Sequence, residues 1–131
     1  MAAADLNMDF IILAAGQSRR FSADMPSPGP AKQFRLLSGK LVLLHSLDAI
    51  GCWPHCGRIM VVLPEEGVDE LVTNQLKEAA RSCPVPVQFT TGGATRTAST
   101  LNGLRALAER EHSTSVAVHD AARPFVPHHV L

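Results

Sequence analysis

The chain is short of cysteine, of positive charge and of long apolar runs, and each shortage removes a class of function. The three cysteines, Cys52, Cys56 and Cys83, are sparse and odd in number. That fits reduced thiols in a cytosolic protein rather than a disulfide framework. Cys52 and Cys56 flank His55, but the spacing matches no common zinc pattern and no second ligand pair follows, so ordinary cysteines are expected. The His128-His129 pair is a weak metal motif. Twelve Lys and Arg balance twelve Asp and Glu. Without a basic surplus a nucleic-acid partner is not expected, although a small anion needs only a local cluster. No apolar run approaches the roughly 20 residues of a membrane helix, so no membrane partner is expected. The start carries Asp5 and Asp9 and no basic stretch, which speaks against a secretory signal. A cytoplasmic location is expected, or a plastid in a plant or alga, although no transit peptide is visible. Internal repeats and linkers are also missing.

What is present is a globular composition, 46% hydrophobic over 131 residues, enough for one domain with a real core. Short continuous apolar runs at 8–14, 58–63, 85–90 and 115–119 read as strands buried on both faces, as in a parallel sheet. Pro86 marks the third as an edge strand or an irregular start. Helical spacing predicts helices over 42–50, 68–82 and 95–110. The second would bury Val68, Leu71, Val72, Leu76, Ala79 and Ala80. The third would bury Ala98, Leu101, Leu104, Leu107 and Ala108. Residues 16–21 read as a turn and a first helical turn. The stretch 22–31 holds three prolines and a glycine and is a loop. Ser38-Gly39-Lys40 is a turn signal. Strand and helix alternate throughout, which predicts an α/β sandwich with a mostly parallel sheet and right-handed crossovers. An open sheet of this kind usually continues beyond four strands, so residues 1–131 are expected to be the first part of a longer domain.

Ligands of open α/β sheets sit beyond the carboxyl ends of the strands. Three strands here end in unusual residues. The first runs into Ala14-Ala15-Gly16, small residues whose backbone amides suit phosphate oxygens, followed by Arg19 and Arg20, which can neutralise them. Neither the Walker A loop nor the dinucleotide fingerprint is present. The plain alternative is a strand-to-helix turn with two solvated arginines. Lys32 follows the proline-rich loop and can reach the same phosphates as a point charge, or simply be a surface lysine. Gly92-Gly93-Ala94-Thr95-Arg96 opens a helix. The two glycines let a flat ligand such as a base pass close, with Ser99 one turn on. A flexible turn before a helix would look the same. The fourth strand ends in His119-Asp120-Ala121-Ala122-Arg123. A carboxylate at Asp120 suits Mg²⁺ when the partner is a triphosphate, or it caps the next turn. His119 reads as a packed or hydrogen-bonding residue.

LAAGQSRRF, PAKQF, GGATRTAS followed by LNGL, and VHDAARPFV occur in this order. Together they resemble the 2-C-methyl-D-erythritol 4-phosphate cytidylyltransferases of the non-mevalonate isoprenoid pathway, over about residues 8–131. The related ribitol-5-phosphate cytidylyltransferases share the pattern. The resemblance implies a Rossmann-like nucleotidyltransferase fold, a three-layer sandwich around a mostly parallel sheet. It implies transfer of CMP from CTP to 2-C-methyl-D-erythritol 4-phosphate with release of diphosphate, with Mg²⁺ or another divalent cation. Alternatives are another sugar-phosphate acceptor such as ribitol 5-phosphate, or a non-catalytic fragment. Carried over residue by residue, Ala14, Ala15 and Gly16 line the nucleotide, and Arg20 and Lys32 stabilise charge on the α-phosphate. Gly93 and Ser99 meet the cytosine, with Arg96 supporting that loop. Asp120 binds the metal, Ala121 sits by the ribose, and Arg123 positions the loop or the phosphate substrate. The family is homodimeric through an arm in its second half. Two departures stand out. The loop between Arg20 and Lys32 is longer than the family pattern, and Ala94 replaces a frequent acidic residue.

Overall fold

The computed structural model describes residues 7–16, 32–66, 68–109 and 115–121. The elements are β1 (Met8–Leu13), a single 3-10 turn (Lys32–Phe34), β2 (Leu36–Leu37), β3 (Lys40–Leu41), α1 (Val42–Gly51), β4 (Cys56–Leu63), α2 (Glu70–Ser82), β5 (Val87–Thr91), α3 (Arg96–Ala108) and β6 (Val116–Asp120). Four strands form a parallel sheet in the order β5-β4-β1-β6. The short strands β2 and β3 pair as a hairpin across Ser38 and Gly39. Both turn residues have positive φ, 55° and 78°, the twist that suits a two-residue hairpin.

β1 is central, and its run Phe10-Ile11-Ile12-Leu13 is buried on both faces. Alternate side chains go to opposite layers. Phe10 and Ile12, with Ile59 and Val61 of β4, pack against Leu43, Leu44, Leu47 and Ile50 of α1 and Leu76 of α2. Ile11 and Leu13, with Met60 and Val62, pack against Leu107 of α3. The result is three layers, with α1 and α2 on one side of the sheet and α3 on the other. Each fully buried Leu, Ile or Phe adds about 1.5–3 kcal/mol to this arrangement. β5 is an edge strand that begins after Pro86, as its proline requires.

Two helix faces differ from the periodicity. On α3 the buried positions are Ser99, Gly103 and Leu107, whereas Leu101 and Leu104 are exposed. The cause is a close approach: a methyl on Gly103 would lie 3.0–3.2 Å from Ile11 and Val62 side-chain carbons. The helix rests on the sheet through its glycine, which turns the leucines away. On α2, Leu76 is buried while Leu71 is 68% exposed.

The amino edge of the sheet is closed by an ion pair. Arg58 donates from Nε and Nη2 to Asp9 Oδ2 at 3.1 and 2.7 Å. Nη2 also donates to the Leu107 carbonyl at 3.3 Å. One guanidinium thereby joins β1, β4 and the end of α3. No helix among the described residues is long and apolar enough to cross a membrane.

Candidate functional site at the carboxyl edge

The strand order places the site. The chain builds outward from β1 through β4 to β5, then returns to lay β6 on the other side of β1. That reversal opens a crevice outside the carboxyl ends of β1 and β6, where open α/β sheets take their ligands. The strand ends are in register there, with Leu13 opposite both Val62 and Asp120. Backbone bonds tie the exits together. Ala14 N–H donates to the Val62 carbonyl at 2.8 Å, Gly92 N–H to Leu63 at 2.8 Å and Ala121 N–H to Leu13 at 3.0 Å.

The first and third loops touch. A methyl on Gly92 would lie 2.4 Å from Ala15 Cβ, 2.7 Å from Ser99 Oγ and 3.2 Å from Val62 Cγ1. Only a residue without a side chain lets these loops close on each other. Ser99 is buried, and its Oγ accepts from the Gly93 N–H at 3.1 Å. The Thr95 hydroxyl accepts from Ala98 N–H at 3.0 Å and caps α3. The amino end of α3 therefore faces this edge, with exposed Arg96 as its first residue. Unpaired amides and the helix dipole favour an anion at such an end. Asn102 donates to the Thr91 carbonyl at 3.0 Å, which fixes the helix to the end of β5.

The structure brings Ala15, Gly16, Gly93, Arg96, Ser99 and Asp120 to one edge. Gly16 is exposed and Ala15 and Asp120 are half-buried. Ala14 and Ala121 differ. Both are buried in the core layer under the crevice, so what they carry at the edge is backbone. The Ala121 carbonyl accepts from Ser46 Oγ at 3.2 Å. Arg20 and Arg123 lie outside the described residues. Lys32 opens the 3-10 turn, and its side chain lies outside the description.

Two residues at this edge were given no role by the sequence, Asn102 and Gln33, and Gly92 was named there for close approach to a ligand rather than for its contact with Ala15 and Ser99. Gln33 is the most telling. Its buried amide nitrogen donates to the carbonyls of Ala14 and Gly16, both at 2.7 Å. Its position between Lys32 and Phe34 inside PAKQF was the available signal.

Among the described residues no three His, Cys, Asp or Glu side chains gather into a metal cluster. A lone carboxylate at Asp120 still fits Mg²⁺, which is commonly held by one or two carboxylates while substrate phosphates and water fill the remaining positions. The strongly shifted thiol lies at the opposite edge. Burial, then neighbouring Cys83 and Asp9, push Cys56 from 9.0 to about 12. It is held as an inert thiol and takes no part in this site.

Comparison with known proteins agrees with this geometry. Residues 8–131 match the family described as 2-C-methyl-D-erythritol 4-phosphate cytidylyltransferase. A bifunctional enzyme IspD/IspF of Rhizobium rhizogenes is 34% identical over 126 residues, covering 96% of this chain and 29% of the relative. The 2-C-methyl-D-erythritol 4-phosphate cytidylyltransferase of Stenotrophomonas maltophilia is 38% identical over 115 residues, covering 87% of this chain and 45% of the relative. A crystal structure of 4-diphosphocytidyl-2C-methyl-D-erythritol synthase from Anaerococcus prevotii superposes with a TM-score of 0.68 at 22% identity. That superposition covers 99% of this chain and 50% of the other, and shows the shared fold. The chain spans less than half the length of the curated relatives it matches.

Proposed function

This chain belongs to the 2-C-methyl-D-erythritol 4-phosphate cytidylyltransferase family, and we propose that it supplies the CTP-binding half of that reaction. The observation that carries the reading is the contact of Ala15, Gly92 and Ser99 at the strand-order reversal, with Asp120 at the end of the neighbouring strand. It supplies small-residue backbone for phosphates and a base on one side and a carboxylate on the other.

A phosphate oxygen of the acceptor attacks the α-phosphorus of CTP in line. The new P–O bond forms as the bond to the bridging oxygen of diphosphate breaks, and diphosphate leaves with that electron pair. The nucleophile is already ionised, because a phosphate monoester loses its second proton near about pH 6. No side-chain nucleophile or general base is needed. Catalysis is alignment of two anions plus neutralisation of developing charge. The loop amides at Ala15 and Gly16 hold phosphate oxygens. Arg20 and Lys32 offset charge on the α-phosphate. Gly93 and Ser99 border the base, Arg96 supports their loop, and Arg123 positions the loop or the acceptor phosphate. Asp120 would hold Mg²⁺, which would supply neutralisation of triphosphate charge.

Diphosphate release by the full-length protein, with Mg·CTP and several acceptors, tests this. The expected result is turnover with 2-C-methyl-D-erythritol 4-phosphate, lost in Arg20→Ala and in Lys32→Ala with a modest change in stability. Normal turnover by Lys32→Ala would remove its role. Preference for ribitol 5-phosphate would reassign the acceptor. Binding can be followed by melting, since a ligand at about 100 times its Kd adds about 2.7 kcal/mol.

A further inference from the structure

We propose that Gln33 is a positioning residue that presets the Ala14–Gly16 loop for a nucleoside triphosphate and holds the Lys32 backbone in register with it. The inference rests on the nucleotide-binding reading of this edge.

A glutamine side chain that is only 4% exposed must find partners for its amide protons. Both protons go to the loop, one to the Ala14 carbonyl and one to the Gly16 carbonyl. The two bonds reach back 19 and 17 positions. A peptide unit is planar and trans, so its C=O and N–H point in opposite directions. Holding the Ala14 carbonyl therefore aims the Ala15 N–H to the other side. Among the described residues packing does not do this at the outer end of the loop, because a methyl on Gly16 would meet none of them within 4 Å. The Gln33 amide supplies the restraint there. The other end of the lever is also fixed. Phe34, the next residue, is buried in the core layer under α1. Lys32 precedes Gln33 in the same single turn. The backbone that carries the cation and the loop that takes the phosphates are thus joined through one side chain, whatever the length of the chain between them.

The test uses the full-length protein, with Gln33→Met, which keeps the length and removes both donors, and Gln33→Glu, whose carboxylate would face two carbonyl oxygens. Losing two hydrogen bonds of ordinary strength corresponds to about tenfold or more in CTP affinity. The expected order of Mg·CTP affinity by calorimetry is wild type, then Gln33→Met, then Gln33→Glu. The KM for CTP should rise while the KM for the acceptor stays put. Amide hydrogen exchange at Ala15 and Gly16 should quicken in Gln33→Met relative to Ile11 and Ile12 of β1. If Gln33→Met does not fold, Gln33→Asn, too short to span both carbonyls, replaces it. Wild-type affinity in both variants, or an equal rise in both KM values, overturns the proposal. If the wild type binds no CTP, the nucleotide reading fails, and exchange decides whether Gln33 orders the loop. Unchanged exchange overturns that as well.

Discussion

Arg58 grips one oxygen of Asp9 through two nitrogens, at 3.1 and 2.7 Å, at the sheet edge opposite the contact between Gly92 and Ser99. Asp9 is 2% exposed. Removing one partner of such a pair leaves an uncompensated buried charge, at a cost of about 3–5 kcal/mol. Asp9→Ala should melt far below the wild type in denaturant titrations. Asp9→Leu combined with Arg58→Met should recover most of that loss, because both charges leave together. Neither change should alter Mg·CTP affinity in protein that remains folded, and a selective loss of affinity would contradict the separation of the two edges.

Gly92 and Gly16 should respond differently to the same added methyl. Gly92→Ala drives a Cβ to 2.4 Å from Ala15 Cβ, and overpacking of this kind costs about 1–3 kcal/mol. Gly16→Ala meets none of the described residues within 4 Å and should leave stability within about 0.5 kcal/mol. The Gly16 methyl would instead occupy room that a phosphate needs. Thermal melts with and without Mg·CTP separate the two effects. A stable Gly92→Ala protein with unchanged affinity would mean the loops do not close as described.

Ser99→Ala removes the acceptor of the Gly93 N–H. The expected loss is about 1 kcal/mol of stability, with weaker cytidine discrimination against uridine nucleotides. Ser99→Thr keeps the hydroxyl but adds a methyl beside Gly92. It should therefore fail for steric reasons rather than for loss of the bond. Competition of CTP with UTP in a binding assay reads the first effect.

Cys56 gives the protein an alkaline limit. Its thiol titrates near about 12 when folded, against 9.0 for an ordinary cysteine. A raised folded pKa means the unfolded chain releases the proton first, so stability is intact below pH 9 and falls as pH rises from there towards 12. Cys56→Val removes the group. The wild type minus Cys56→Val difference in unfolding free energy should be flat below pH 9 and decline above it. A difference that stays flat to pH 11 would show that Cys56 ionises as easily in the fold as outside it.

The sheet was legible because β1 and β4 are short, continuous and apolar, which separates a doubly buried strand from an alternating one. Pro86 allowed an edge strand or an irregular start, and β5 lies at the edge of the described sheet. The leucines of α3 were misleading for a physical reason. Periodicity ranks side chains by hydrophobicity, whereas this helix approaches the sheet along its smallest residue, Gly103, and the largest residues are displaced outwards. Leu71 on α2 is exposed as well, and nothing in the structure explains why. At the carboxyl edge, Ala15, Gly93, Ser99 and Asp120 could be placed because the strand ends were located, while their roles came from the family resemblance, since a plain turn or a capping carboxylate reads the same in the sequence. Gln33 could not be named. A glutamine in a loop reads as solvated until the fold shows two carbonyls within 2.7 Å of its amide. The glycine pair was read as room for a flat ligand or as a flexible turn, whereas Gly92 is there for lack of space against Ala15 and Ser99.

The strand order also sets a schedule. β1 finds its partner β4 early in synthesis, and β5 follows beside it. The other edge of β1 waits for β6, whose Val116 pairs with Asp9 across more than roughly a hundred intervening residues. Until Asp120 has emerged, a growing chain carries an open central strand that is apolar from Phe10 to Leu13, the kind of edge that invites pairing with another molecule. Among the described elements, the crevice is therefore the last to be completed. Slow translation shortly before Val116 should lengthen the interval in which a nascent chain is vulnerable to aggregation.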